Sequence, residues 1–535
     1  MTTITPFAAG SYLTTRNASQ LAALKNQLTD LSSQVSTGLV ATTYGGLGSG
    51  RSTALAAQAT LSALTGYAAG IGAAQTRTNL AVTSLTQVAT LGSSARDTLN
   101  NGVQSAAADS VAVRSTALGN LQTALDTLNQ SAAGNYLFGG SDTTTQPVAD
   151  VDTVLNGTTD DQGHSIAGLT AVVAEYVGAA VGTAKNGRLT QVPDPASTTS
   201  STTVQVTDEA NSATRGLFGF TLAATPTVTG SALSATYRPA AASAPASFTL
   251  SLPSQQPLPG DSVTIALGLP DGTTKTLTLT AAASADSGST TTFAIGSSPS
   301  DTMHNLSTTL NNALTGLASS TLAVNATAAA ASSFFTGSVK GGPSNTGVMP
   351  ERVAFDANNN PIGYKPASAT DTVLWYQGEN TYAAGKQTDA INTQSVQVSA
   401  GASIGTGARA IDPAVQNVLA GLATMAFALP TTNDGSTNAT YQSVVDTAGT
   451  LLTAADGSSG VQDTVTQLSL ASARLTNASS TNAATQNTVQ NTLDGIEQAP
   501  TEEVVTKLLD VQNRLQASYQ ITATLSKLSL VNYIS

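Results

Sequence analysis

The residues able to do chemistry in this chain are few and scattered. Only two histidines occur: His164, in a glycine-flanked loop after Asp160-Asp161, and His304, beside Met303 at the start of a short helical pattern. No His-x-x-x-His spacing accompanies them and the chain has no cysteine, so a zinc site lacks its usual ligands. The same absence excludes disulfides and thiolate nucleophiles. Asp356-Ala-Asn-Asn-Asn-Pro361 sets oxygen-bearing side chains on alternate residues, as a calcium loop does. It has no glycine at the sixth position and no acid at the twelfth, and Asn and Pro at this density favour a turn between strands. Glu502-Glu503 is a carboxylate pair, but its place in the first turn of a helix gives it a dipole-stabilising role. No nucleophile elbow with triad partners is found, and the glycine-rich Tyr44–Gly50 lacks the Gly-Lys-Ser/Thr that holds phosphates. Trp375 and Tyr376, followed by Gln377-Gly-Glu379, are the one aromatic concentration that could stack on a glycan. In a chain so poor in aromatics they are expected to anchor the core of a small domain instead. This inventory points away from an enzyme, and no cofactor or metal is expected.

Composition explains the scarcity. Of 535 residues 40% are hydrophobic, yet only 4% are aromatic and 10% charged. The apolar share is mostly Ala, Val and Leu, which suits long packed helices and thin β modules. The net charge of −12 argues against nucleic-acid binding, which needs clustered Lys and Arg to neutralise phosphates. The first residues, Met1-Thr-Thr-Ile-Thr-Pro-Phe-Ala-Ala-Gly10, lack a basic and then apolar leader, so the expected protein is either cytoplasmic or exported by a route without a cleaved signal. No window approaches the roughly 20 apolar residues of a membrane span, and no membrane insertion is expected.

The two ends carry helical patterns. Leu21, Leu24, Leu28, Leu31 and Val35 recur three and four apart, a heptad seam along one stripe of a helix. Gly38 stands where that helix should stop, and Tyr44–Gly50 reads as a loop before helical pattern resumes near Ser52. Leu118, Leu121, Leu125 and Leu128 form a second seam. Towards the other end, Asp412-Pro413 opens a helix carrying Val415, Leu419, Leu422 and Met425, with Asp as N-cap and Pro at the first position. Val461, Val465, Leu468 and Leu475, then Val489, Leu493 and Ile496, mark another run. The last helix follows Pro500, with Val504, Leu508, Val511 and Leu515, then Ile521, Leu525 and Leu528 on one side. A helix with so narrow a seam needs partner helices. Pairing the N-terminal with the C-terminal helices, within the chain or between neighbouring copies, is the economical solution. Packing between copies is favoured for Leu21 to Val35 and for Val504 to Leu528, a bundle within the subunit for the rest. The outermost segments, 1–35 and 505–535, are then expected to be partly disordered in the isolated protein.

Between Ser141 and Thr393 the pattern changes to Thr, Ser, Gly and Pro with period-two alternation. Val263, Ile265, Leu267 and Leu269, then Pro270-Asp-Gly272, then Leu277 and Leu279 spell a hairpin. Phe248, Leu250 and Leu252 form another strand, and one helix from about Asp301 to Leu317 interrupts. An Ala- and Pro-rich stretch, Tyr237 to Pro245, is read as a break between two lobes. The expected fold is thus multidomain α+β. A terminal helix (1–40) leads into one half of a coiled-coil-like stalk (41–140), then a β-rich insertion (141–393, lobes 141–236 and 246–393). The other half of the stalk (394–499) and a last helix (500–535) complete it.

This plan resembles the flagellin family, which includes the filament subunit and the hook-associated protein that joins hook to filament. Asn135-Tyr-Leu-Phe-Gly-Gly-Ser141 resembles the family's step from helices into the insertion, and Gly405-Thr-Gly-Ala-Arg-Ala-Ile-Asp-Pro413 its return. The ending from Ser518 to Ile534 is similar to the junction protein's tail. The Lys-Asp-Asp-Ala-Ala-Gly-Leu-Ala segment and Leu-Leu-Arg tail of filament subunits are absent, and Tyr44–Gly48 with Arg51-Ser52 stands in place of the former. The likeness covers roughly 1–140 and 394–535. It implies export through the flagellar secretion apparatus with a cytoplasmic chaperone, and assembly at the distal end of the hook. Copies of the chain, a neighbouring hook-associated protein and flagellin would then be its partners. The terminal helices would form the inner tube and the middle would face outward. A filament flagellin, and a surface adhesin or glycan-binding protein acting through the insertion, are the competing readings.

Overall fold

The structure, a computed structural model, describes residues 6–103, 109–197, 200–241, 244–431, 437–453 and 460–534, with all their side chains except those of 6–11, 13, 437–438, 525–526 and 528–534. It is a mixture of helices and strands. Among the described residues the helices are α1 (Pro6–Thr37), α2 (Arg51–Val103), α3 (Ser110–Thr127), α4 (Val151–Asn156), α5 (Leu169–Val181), α6 (Pro299–Leu317), α7 (Ala323–Phe334), α8 (Pro413–Ala428), α9 (Thr437–Leu452), α10 (Val461–Glu497) and α11 (Thr501–Ile534). The chain divides into two units, one of residues 1–73, 397–403 and 474–535, the other of 74–396 and 404–473.

In the first unit α1 lies along α11. The chain leaves α1 at Gly38, whose φ of 71° is the left-handed conformation that ends a helix, and Ala499 N–H then donates to the Gly38 carbonyl at 2.9 Å. Val40 N–H donates to the Glu497 carbonyl at 2.7 Å, which ties the α1 exit to the α10–α11 corner. Tyr44–Gly50, expected as a loop, is a run of 3₁₀ turns broken at Gly48. Glycine spacing hides such turns, because they follow backbone hydrogen bonds and not an apolar stripe. The opening of α2 then meets the end of α10 through Ala54, Ala57 and Leu493.

The second unit has two cores. One is built on α3, α5, α7, α8 and α9. Its centre is α8, where Val418, Leu419, Leu422 and Ala423 are all buried completely. A helix apolar all round belongs in the middle of a core. The other core belongs to a β lobe. Two short ladders precede it, β1 (Ser131–Ala132) with β2 (Asn135–Tyr136) and β3 (Thr158–Thr159) with β4 (Ser165–Ile166). The lobe comprises β5 (Thr190–Val192), β6 (Thr203–Thr207), β7 (Thr221–Leu222), β8 (Thr227–Val228), β9 (Ser234–Arg238), β10 (Ser247–Ser251), β11 (Ser262–Gly268), β12 (Thr274–Ala282) and β13 (Thr292–Ala294). They form a four-stranded sheet in the order β5-β6-β10-β9 and a second in the order β13-β12-β11-β7, with β8 also on β11. The expected Asp-Gly hairpin is β11–β12, with Val263 opposite Leu279 and Gly272 at φ 81° in its turn. Helix α6 buries Met303, Leu306, Leu310 and Leu314 in this core against Phe248, Ile265 and Phe293.

Three expectations for the middle segment change. Besides the one helix expected there, α6, it holds α4, α5 and α7. Neither α5 nor α7 shows a stripe, because α5 is buried on several sides and half of α7 is Ala. The expected lobe boundary at Tyr237–Pro245 falls instead between β9 and β10, which are neighbours in one sheet with Arg238 opposite Ser247. The core of the lobe runs from Ala180 to Leu322. Finally, α6 begins two residues early, at Pro299, because Ser298 Oγ caps it by accepting from Asp301 N–H at 3.2 Å.

Candidate functional site

The proposed seam residues fall on facing sides of α1 and α11. Leu31, Val504 and Val511 are buried, and Leu24, Leu28 and Leu508 pack against them half-buried, with Ala499 and Val40 closing the cluster. Leu21 and Leu515 are half-buried, whereas Val35 and Ile521 are exposed, and the side chains of Leu525 and Leu528 lie outside the described residues. The contact described here is within one chain, not between copies. It is thin: two helices of 32 and 34 residues share only a few covered side chains. Further apolar side chains on both helices are uncovered, with Leu509 55%, Tyr519 51% and Tyr12 68% exposed. The doublets Val504-Val505 and Leu508-Leu509 signal part of this, since they put apolar residues on two adjoining faces of α11 and leave Val505 and Leu509 exposed. Charges on the pair face water, as in Glu503–Lys507 (2.6 Å) and Asp510–Arg514 (2.9 Å), each one helical turn apart.

In the second unit, three sequence segments singled out separately meet at one point. Ala410 N–H donates to the Phe138 carbonyl (3.0 Å), Gly140 N–H to Ala408 (3.2 Å) and Glu379 N–H to Gly139 (2.8 Å). The Tyr376 hydroxyl reaches the Phe138 carbonyl at 3.2 Å and the Glu379 carbonyl at 3.0 Å. At the centre is the fully buried Arg409, which donates to the Thr388 carbonyl and lies 3.8 Å from Glu379 and 3.6 Å from Asp412. Asp412 thus stands at the N-cap position of α8, but its carboxylate turns to Arg409 and makes no cap bond. Burial pushes the Asp412 carboxyl up to about 6, and Arg409 opposes that rise. Beside the cluster is a cavity of about 650 Å³ lined by Ser141, Glu379, Thr381, Thr388 and Asp389. Trp375 and Tyr376 are both fully buried, Trp375 edge-on to Phe335 at 5.3 Å and donating to its carbonyl at 2.9 Å. They form core, and no stacking platform for a sugar.

The other chemical candidates resolve into local structure. His164 Nδ1 lies 2.9 Å from Asp160, and its exposed ring serves a turn. His304 is exposed on α6. Asp356 Oδ1 accepts from the N–H groups of Asn358 (2.9 Å) and Asn360 (2.8 Å) and so closes the turn between β14 (Glu351–Phe355) and β15 (Pro361–Pro366). Gly401-Ala-Ser-Ile-Gly405 has nucleophile-elbow spacing, but its serine lies on the strand Ala402–Gly405 and not on a strand-to-helix turn. Among the described residues no group of three or more acidic, histidine or cysteine side chains could hold a metal, and no helix is long and apolar enough to cross a membrane. A scan of the chain against protein-family models finds no match, and a search of the curated proteins finds none either.

Proposed function

We propose that the chain is a structural subunit of the bacterial flagellum that forms the junction between hook and filament by helix–helix self-assembly, a mechanical and not a catalytic role. The observation that carries the reading is the α1–α11 pair. Both chain ends converge in one long two-helix element whose seam is covered on one side only, with Leu509, Tyr519 and Tyr12 left in water. Ordering a residue costs about 1–2 kcal/mol of backbone entropy, so long helices with so thin a core are completed by further helices. The same helices of adjacent copies supply them in this reading, and an array multiplies contacts that are weak singly. The helices drawn from both ends act as a coiled-coil-like stalk, and the β-rich insertion faces outward.

The meeting of Asn135–Ser141 with Gly405–Pro413 also supports the reading. These are the segments whose sequence resembles the family's step into and out of its insertion, and a backbone ladder joins them at Gly139 and Arg409. The partners proposed are copies of the chain, a neighbouring hook-associated protein, flagellin and a cytoplasmic export chaperone, and the location is the extracellular flagellum. Immunogold electron microscopy with antibody to the β lobe tests this. Label in a narrow band between hook and filament supports the junction role, label along the filament makes the chain a flagellin, and label on the cell body alone overturns both.

A further inference from the structure

Helix α10 carries a row of residues seven apart: Val461, Leu468, Leu475, Asn482, Val489 and Ile496. All are apolar except Asn482. That residue does not turn outward. It is 4% exposed, and among the described residues it is the only buried one of α10 between Leu475 and Leu493. Its Nδ2 donates to the Leu64 carbonyl of α2 at 2.9 Å, and Gln486 Nε2 donates to its Oδ1 at 3.4 Å. Leu64 belongs to a matching row on α2, Ala57, Leu64 and Ile71, also seven apart. Towards the end of α10, Ala54 and Ala57 meet Leu493. This part of the two helices lies within the first unit.

Two rows of period seven meet again after a slip of seven residues, about 10 Å along the axis. Leu475 or Val489 would then stand against Leu64, one apolar side chain in place of another. Helix pairs fix their register with charges flanking the seam or with a polar residue inside it. Charges are not available here: α2 has none between Arg51 and Arg77, and α10 none between Arg474 and Asp494. Apolar bulk discriminates little, since Leu61, Leu64 and Tyr67 of α2 are only half-buried at the middle of the seam. The backbone bonds at the α10–α11 corner, Val40 to Glu497 and Ala499 to Gly38, tie that corner to the exit of α1 and not to α2. A further bond between the two helices, Ser472 Oγ to Asn79 Oδ1 at 2.7 Å, lies in the second unit between exposed side chains. Asn482 supplies what these lack, a directional bond made from a buried position.

We propose that Asn482 sets the register in which α10 lies on α2, and so decides which residues of the two helices face each other. A slip carries the amide away from the Leu64 carbonyl, and a buried amide without its partner is costly. The bond favours the native register over its slipped neighbours. It does little to favour the fold over the unfolded chain, because a leucine in the same place would bury more apolar surface. Asn482 is thus a positioning residue, and its removal is read in geometry more than in stability. This inference does not depend on the flagellar reading and is tested separately from it.

The absence of native cysteine allows site-specific spin labels in the full chain. Ala63→Cys on α2 and Ala484→Cys on α10 stand at exposed positions of the first unit. Labelled chain diluted into unlabelled chain reports the distance within one molecule. The parent is expected to show one dominant peak. Asn482→Leu is expected to add a second, separate population, while its thermal transition is no lower than the parent's. A folded leucine variant with the parental peak alone would overturn the proposal, whatever its stability. Should the leucine variant not fold, Asn482→Ala serves in its place. It removes the amide without adding bulk, the same second population is expected, and the parental peak alone counts equally against the proposal.

Discussion

Two helical regions of the molecule use the same residue types to opposite ends. Helix α8 is surrounded, with Val418, Leu419, Leu422 and Ala423 wholly buried among α3, α7 and α9. The α1–α11 pair carries the same Leu and Val along a narrow seam on otherwise polar helices, and there Leu24, Leu28 and Leu508 are only half-buried while Leu509, Tyr519 and Tyr12 are exposed. Small residues divide the same way. In α8 the Gly421 backbone approaches so closely that an added Cβ would stand 2.7 Å from Leu452 Cγ, whereas at Gly66 in α2 it would meet nothing within 4 Å. The first region is finished by its own chain. The second leaves part of its apolar side chains, Leu509 and Tyr519 among them, in water.

The comparison breaks or holds on paired substitutions. Leu422→Ala removes side-chain atoms from a site with no solvent exposure and is expected to cost about 2–5 kcal/mol in urea unfolding of the monomer, the largest effect. Leu28→Asp, in the half-buried seam, is expected to cost the monomer about 1 kcal/mol, yet to abolish assembly into filaments or rings while secretion continues. Normal assemblies from the Leu28 variant would refute the role given to the seam. A monomer unfolded by it would show that the α1–α11 pair is an ordinary core after all.

Much of this division is legible in the sequence, for a reason that also limits it. Heptad spacing at Leu24, Leu28, Leu31, Val504, Leu508 and Val511 exposes the pairing of the chain ends, because one stripe repeated in both helices leaves little choice of face. Alternation around Asp271-Gly272 likewise fixes a hairpin and its register. The method fails where periodicity is erased. Half of α7 is alanine and α5 is apolar on most sides, so neither offers a stripe within a segment whose pattern is β-rich. The stretch Tyr237–Pro245 looks like a linker by composition, but composition cannot tell a break between lobes from a connection between two strands of one sheet. At the Arg409 cluster, the sequence supplied all three segments and no sign that they meet. Long-range convergence on a buried arginine leaves no local pattern.

Glycine offers the sharper test, because propensity and packing there predict opposite signs. Helix propensity alone favours Ala over Gly by about 1 kcal/mol. Gly66→Ala, facing open space, is expected to gain roughly that amount. Gly421→Ala meets Leu452 and is expected to lose about 1 kcal/mol net, since overpacking costs about 1–3 kcal/mol. Thermal unfolding of the two variants beside the parent reads both signs, and a gain at Gly421 would mean that α8 and α9 are not packed as closely as described.

The smallest effect concerns charge. On the α1–α11 pair carboxylates such as Glu503 lie in water, whereas the β lobe buries Asp208, whose Oδ1 accepts from Leu222 N–H at 2.8 Å. Burial pushes its carboxyl from 3.8 up to about 6, only partly offset by the Leu222 hydrogen bond and by Arg215. A raised folded value means that the fold prefers the protonated acid. Its contribution to stability is therefore complete below about 3.8 and is lost as pH rises through about 6. Asp208→Asn keeps the acceptor for Leu222 and removes the charge. The Tm difference between Asn variant and parent is expected to be near zero at pH 4 and to grow in favour of the variant up to pH 7. Glu503→Gln, changed in water, should give no such rise. A flat difference for Asp208 would mean that water reaches it, and that the lobe's core is as thinly covered as the seam of the terminal helices.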